Sequence, residues 1–287
     1  MLELVRSLSR NQRLLTDLVK RDLRARYVAS SMGFFWSVLF PLVNLFVYMF
    51  VFAFVLSSRW RPDMPGQETA LVMLAGIVVW QAFAETLSRS TNTLVENQNL
   101  IQKVVFPSEV LPIYLASSAL INMLIGILIT LAAVGWFAWV APPAPIPVPE
   151  GVVSVARHKT LGFSLSLLSL PVLVIAQAIF TLGYSYFLAT LNLFARDVYH
   201  LIGVALTVWM FMTPIFYPPE FVVNAGMGWV LQINPMYWLI DSYREVLLYG
   251  LWPKPLVLSV FLAVAVAVFV LGSWFFMRQK PRFPDLL

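Results

Sequence analysis

Six stretches of this sequence are long, apolar and almost free of charge, and no water-soluble fold of this length can bury them all. A hydrocarbon core about 30 Å thick is crossed by roughly 20 helical residues. In lipid a helix satisfies its own backbone groups, which an irregular chain cannot do. The stretches lie at about 33–56, 70–87, 110–140, within 161–195, at 201–217 and at 256–277. Only 11% of the 287 residues are charged, whereas soluble domains carry about 25%. The chain is therefore expected to be an all-α membrane protein with six transmembrane helices. One transmembrane domain occupies all of 1–287: residues 1–32 before the first span, 33–277 for the six-span region, and a tail at 278–287.

The pieces between spans have their own patterns. Over residues 10–27, Leu14, Leu15, Leu18, Val19 and Leu23 fall on one side of a helix; Arg10, Arg13, Asp17, Lys20, Arg21 and Arg24 fall on the other. Such a helix, with a basic polar face, is expected to lie in the headgroup layer. Basic residues run through this N-terminal region, so it is not expected to be a cleavable signal peptide. Pro142, Pro143, Pro145, Pro147 and Pro149 make 141–160 a semi-rigid, extended loop. The segment 218–255 is too apolar for a solvated loop and too broken by Pro and Gly for one span. It is expected to form two short re-entrant helices on the outer face, between spans five and six, where irregular backbone is tolerated under a protein cover.

Orientation follows from the basic residues. With both termini cytoplasmic, only Arg59, Arg61, Arg157, Lys159, Arg244 and Lys254 of the 19 Lys and Arg lie outside. The positive-inside rule selects that arrangement. The same rule accounts for the net charge of +5 as a topology signal, so no nucleic-acid partner is expected.

Catalytic machinery is hard to find. His158 and His200 fall on opposite sides of the membrane, and there is no cysteine, so no metal site is expected. No G-x-x-x-x-G-K-[ST] loop occurs to hold ATP. The acidic residues Glu85, Glu109, Asp197, Asp241 and Glu245 sit near span ends, which gives little support to an intramembrane ion path. A transporter with no energy source of its own needs a partner.

Four motifs occur in order along the chain. Arg21-Asp22-Leu23-Arg24-Ala25-Arg26-Tyr27 is followed by Ser31, Gly33, Trp36 and Pro41. Lys103-Val104-Val105-Phe106-Pro107 is followed by Glu109 and Pro112. Ala195-Arg196-Asp197-Val198 precedes Thr213-Pro214-Ile215-Phe216-Tyr217-Pro218. Asn234-Pro235-Met236 precedes Arg244. In this series the whole chain resembles the ABC-2 type permeases, and most of all their polysaccharide (O-antigen and teichoic-acid) export subfamily. The proline-rich loop departs from the pattern, and no family role is carried onto it.

The resemblance implies a transport subunit, not an enzyme, in the bacterial cytoplasmic (inner) membrane. It implies a homodimer with two copies of a nucleotide-binding ATPase subunit, which alone binds ATP and Mg. The cargo would be a polyprenyl-diphosphate-linked polysaccharide. A short cytoplasmic helix between spans two and three would dock into the ATPase. It maps to Asn97, Leu100, Ile101, Lys103, Val104, Val105 and Phe106, where apolar and polar residues alternate on a short rod. Arg24 and Arg26 would lie near lipid phosphates.

Sugar rings present apolar C–H faces that suit aromatic surfaces. Trp36, Tyr48, Phe52, Trp209, Phe211, Phe216 and Tyr217 are the candidate channel lining, taken as a set because aromatics also pack and anchor spans. Met210, Met212, Pro214, Asn234 and Pro235 are the candidate outer gate, since the prolines break the helix and the two Met fill space adaptably. Arg244 is expected to clamp Asp241 three residues before it. Gly126, Gly183 and Ser185 are small enough for close helix approach, including across a dimer. Two other readings stay open: an ABC-2 permease for a drug or small lipophile, and a membrane enzyme acting on polyprenyl-linked sugars.

Replacing Val104, Val105 and Phe106 together by Asp is expected to uncouple the ATPase while leaving membrane insertion intact. Export assayed beside insertion tests this, and normal export in the triple variant would remove the docking assignment.

Overall fold

A computed structural model of the chain describes residues 6–7, 9–28, 35–55, 60, 66–103, 106–140 and 161–287. Ser31, Gly33, Val104, Val105 and the proline-rich segment 141–160 lie outside the described residues, as do the side chains of Arg26, Tyr27 and Phe52. Every element among the described residues is helical.

The helices follow one another as α1 (Gln12–Val28), α2 (Phe35–Tyr48, prolonged by a π-helical turn Met49–Val55), α3 (Gly66–Glu96), α4 (Gln98–Lys103) and α5 (Val110–Val140). After 161 come a 3₁₀ turn (Leu165–Ser169), α6 (Leu170–Phe194), α7 (Asp197–Met212), α8 (Pro219–Asn224), α9 (Gly228–Ile233), α10 (Pro235–Tyr249) and α11 (Pro255–Gln279). A second 3₁₀ turn (Lys280–Arg282) leads into α12 (Phe283–Leu286). Among the described residues, four helical stretches are long and apolar enough to cross a membrane: Glu68–Glu96, Val110–Val140, Leu165–Phe194 and Pro255–Leu286. Two apolar helices, Val38–Val51 and Asp197–Met212, are shorter.

α3 is the hub. Every residue from Thr69 to Trp80 is buried, and α2, α5, α6, α7 and α10 all pack against it. Its length departs from the expected end near Leu87, because the polar residues that follow continue the helix to Glu96. The hydroxyls of Thr86 and Thr91 donate to the carbonyls of Ala82 and Leu87, each at 2.7 Å. Such small hydroxyl side chains spend their polarity on their own helix and let neighbours approach closely. Asn97 ends the helix by donating its amide to the Thr93 carbonyl at 2.8 Å.

α1 separates its faces as the periodicity predicts. Leu18 is buried and Leu14, Leu15, Val19 and Leu23 are partly so, while Arg13, Asp17, Lys20, Arg21 and Arg24 are exposed. The apolar face leans on α5, and Asp22 forms an ion pair with Arg89 of α3. The segment 218–255 holds three helices in place of the expected two. α8 and α9 are single turns and a half; α10 is a 15-residue helix, buried without interruption from Ser242 to Leu248. Asn234 caps its start, Pro235 occupies its first turn, and Gly250 at φ 59° closes its end in the left-handed region.

The small residues serve contacts within the chain. α6 and α11 form the most extensive helix pair, and they meet backbone to backbone at Gly183 and Gly272. A Cβ at Gly183 would stand 2.6 Å from the Phe269 nitrogen, and one at Gly272 would overlap the Gly183 carbonyl oxygen. Gly126 lies against Val78 of α3, 2.7 Å from where its Cβ would be. Ser185 is fully buried and donates to the Thr181 carbonyl at 2.8 Å.

Gly272→Val is expected to destabilise the protomer by about 3 kcal/mol or more, the upper range for overpacking, because backbone rather than a movable side chain stands in the way. Gly126→Ala meets only a valine methyl and should cost less. Unfolding of the purified variants in detergent checks the order.

Candidate functional site

The Thr-Pro-Ile-Phe-Tyr-Pro and Asn-Pro motifs come together at one end of the bundle around Asn234, a buried side chain with every hydrogen-bonding group engaged. Its carbonyl oxygen accepts from the backbone N–H of Met236 at 3.1 Å and from the Trp209 indole at 3.0 Å. Its amide donates to the Thr213 hydroxyl at 2.8 Å and to the Met212 carbonyl at 3.4 Å. One amide thus caps α10 and pins the C-terminal end of α7. Pro214 is buried beside this knot, Met210 is half-buried, and Met212 is exposed.

Arg244 lies in the same region and overturns its expected pairing with Asp241. Its guanidinium donates Nε to the Val72 carbonyl at 3.1 Å, Nη1 to Pro214 at 2.9 Å and Nη2 to Ile215 at 3.1 Å. The Trp60 ring covers it at 4.6 Å. Gly76 leaves room for it, since a Cβ there would meet Nη2 at 2.9 Å. Asp241 and Glu245 instead face Lys254, at 3.8 and 3.3 Å. Arg244 is a brace between α10, α3 and the bend after α7, held by backbone acceptors that no local spacing rule announces.

The candidate channel aromatics do not form one wall. Trp209 sits among Trp80, Phe83 and Tyr184, with ring centroids at 6.2, 5.2 and 5.8 Å, and belongs to the interior. Tyr48 and Phe216 pack edge to face at 5.7 Å. Tyr217 donates its hydroxyl to the Phe211 carbonyl, while the Phe211 ring is exposed. Trp36, at the start of α2, is 44% exposed.

Trp36 and Met210 do line a groove of about 660 Å³ between α2, α3, α5 and α7, together with Trp80, Gln81, Glu85, Asn122 and Met123. Its walls are apolar and aromatic, and its polar groups are few and grouped. Gln81 and Glu85 are one helical turn apart on α3, and Asn122 faces them from α5. Glu85 stands out in the sequence only as an acid near a span end, and Gln81 and Asn122 fit no motif; the signal for them is an isolated polar side chain inside an apolar run.

The opposite end brings Arg6, Ser7, Arg10 and Asn11 beside the C-terminal tail. α4 is a six-residue rod with no buried residue; Leu100 is exposed, and Asn97 forms the one-residue break before it. Ile101 and Phe106 pack on a cluster built from Leu111, Tyr186, Phe276 and Phe283. Lys103 is exposed, and Phe106 with Pro107 lies outside the helix. Glu109, 1% exposed, accepts from the Lys280 ammonium at 2.6 Å and from the Ser7 hydroxyl. The Tyr186 hydroxyl donates to its backbone carbonyl at 2.9 Å. Burial pushes this carboxyl up, but the hydrogen bonds from Lys280 and Ser7 outweigh that and hold it below the usual carboxylate range. Arg24 is exposed on α1. No cluster of metal-ligating side chains occurs among the described residues.

Comparison with known proteins gives a consistent answer. The family described as ABC-2 type transporter matches residues 13–248. The chain is 29% identical over 290 residues to the O-antigen export system permease protein RfbA of Myxococcus xanthus, covering 99% of each. It is 28% identical over 275 residues to two Klebsiella pneumoniae proteins of the same name, covering 96% of this chain and 95% of theirs.

Asn234→Ala is expected to cost about 2–3 kcal/mol, from loss of a cap worth about 1 kcal/mol and of the bonds to Trp209 and Thr213. Asn234→Asp keeps the acceptor that caps α10 and should cost less. Chemical unfolding in detergent measures both; equal losses would mean that the cap contributes little.

Proposed function

This chain belongs to the ABC-2 type transporter family, and on that footing we propose that it is the membrane permease of an exporter for a lipid-linked, O-antigen-like polysaccharide. The observation that carries this reading is the end-to-end match to O-antigen export permeases, 99% of both chains in one case.

In this reading α2, α3, α5, α6, α7 and α11 are the six spans, with α8 and α9 dipping into the outer face and both termini in the cytoplasm. The groove beside Trp36 and Trp80 supports passage of a glycan. Aromatic faces receive the C–H sides of sugar rings, and Gln81, Glu85 and Asn122 offer groups for hydroxyls. Many weak contacts of this kind let a polymer slide, whereas one tight site would stop it. α2 and α7 flank the groove and expose apolar side chains such as Phe40, Phe46, Leu201, Val204 and Val208. A second protomer packed against these faces would close the groove into a channel, which supports a homodimer. The knot at Asn234 and the Arg244 brace then hold the outer gate, with Met210 and Met212 beside it.

Energy would come from two copies of a separate ATPase that binds ATP and Mg. α4 suits its docking, because no residue of it is buried and Leu100 and Lys103 are exposed. Arg24 and Arg26 on α1 would face lipid phosphates.

Deletion of the gene in its host, with the surface glycan and the polyprenyl-linked pool both followed, tests the function. Loss of surface glycan with full-length lipid-linked polymer trapped inside is the expected result. Unchanged surface glycan would shift the reading to a small-lipophile exporter, and loss of polymer with only short precursors left would make the protein a membrane enzyme.

A further inference from the structure

A six-residue helix does not hold its shape alone, since the first turns of a helix cost more than they return. α4 has no buried residue and hangs from α3 by Asn97. What steadies it is the chain's own tail: α12 packs on α4, and the buried Phe283 ring meets Phe276 at 5.0 Å in the cluster that Ile101 and Phe106 join. A cavity of about 780 Å³ opens between α4, the tail and the N-terminal segment, bordered by Ile101, Lys103, Phe106, Lys280 and Phe283 and closed across by Ser7 and Asn11, so α4 is not packed solidly from that direction.

The tail itself is anchored at one point. Lys280, which opens the turn into α12, reaches the Glu109 carboxylate at 2.6 Å. Glu109 immediately precedes the 31-residue α5, its carbonyl holds Tyr186 of α6, and its carboxylate holds Ser7 of the N-terminal segment. Four separate parts of the chain therefore meet at one buried residue, two of them through its carboxylate.

We propose that Glu109 is a positioning residue for power transmission: its bond to Lys280 clamps the tail behind α4, so that a push delivered to α4 moves α5 and α6 instead of swinging α4 about Asn97. The proposal rests on the reading of α4 as the place where the ATPase acts. Without the clamp α4 has a hinge but no backing, and ATP is hydrolysed with less movement of cargo.

The test uses the permease assembled with its ATPase in vesicles, carrying Glu109→Gln, Lys280→Glu, Lys280→Arg or Phe283→Ala. Glycan exported per ATP hydrolysed is read beside amide hydrogen exchange across the permease. Glu109→Gln, Lys280→Glu and Phe283→Ala are expected to lower export per ATP by about three-fold or more, the size of change that coupling networks carry. They should speed exchange at 98–103 by about ten-fold, with α5 and α6 unchanged. Lys280→Arg keeps the ion pair and should behave as wild type. Unchanged exchange at 98–103, or faster exchange spread through the whole bundle with export per ATP unchanged, would overturn the proposal. Should Glu109→Gln fail to assemble, Phe283→Ala and Lys280→Glu decide the matter through the same two readings. If the wild-type complex hydrolyses ATP and moves no glycan, the export reading fails, while the exchange data still judge the clamp.

Discussion

A helix buried on every side must find an apolar neighbour at every turn, and the molecule is arranged around that demand. Between Thr69 and Trp80, α3 shows no solvent-facing stripe. Five other helices are placed by covering it. Because no polar face is available there, the helix contributes polar anchoring through its backbone instead. The Val72 carbonyl accepts from Arg244 and the Val79 carbonyl accepts from Gln177 of α6 at 3.1 Å. Helix carbonyls have a second lone pair free for such use. The side chains of α3 set who its neighbours are, and its carbonyls fix where two of them sit.

The same device recurs at the bend after α7. The helical donors for the Pro214 and Ile215 carbonyls would be residues 218 and 219, both prolines without an N–H, so these two carbonyls are left to other partners and face the interior. A buried guanidinium with five donors in a fixed plane suits three such acceptors. A lysine has neither the fork nor the reach to replace it.

The sequence announced the architecture where one-dimensional rules suffice. The places of the four longest apolar helices followed from apolar length, and the two faces of α1 from a period of 3.6. Asn234-Pro235 showed in the sequence only as a break in an apolar run, and the structure makes it the cap and first turn of α10. The sequence misled where polarity is spent internally: Ser90, Thr91 and Thr93 look like loop residues, yet all are buried in α3. It was silent where partners are far apart in the chain. Arg244 was assigned to Asp241, three residues away, while its actual acceptors lie 29, 30 and 172 residues away. Trp209 looked like channel lining and Gln81 like nothing in particular, because the direction a span residue faces depends on neighbours that only folding supplies. The charge pair of Glu109 and Lys280 lay beyond any spacing rule for the same reason.

Gly183 and Gly272 carry a mechanical consequence. Where two helices touch through side chains, rotamer changes let one slip past the other by small steps. Where they touch main chain to main chain, no such slack exists, and a shift along the axis would drive carbonyl into α-carbon. α6 and α11 are therefore locked into one rigid pair, and any displacement that reaches α6 must carry α11 with it.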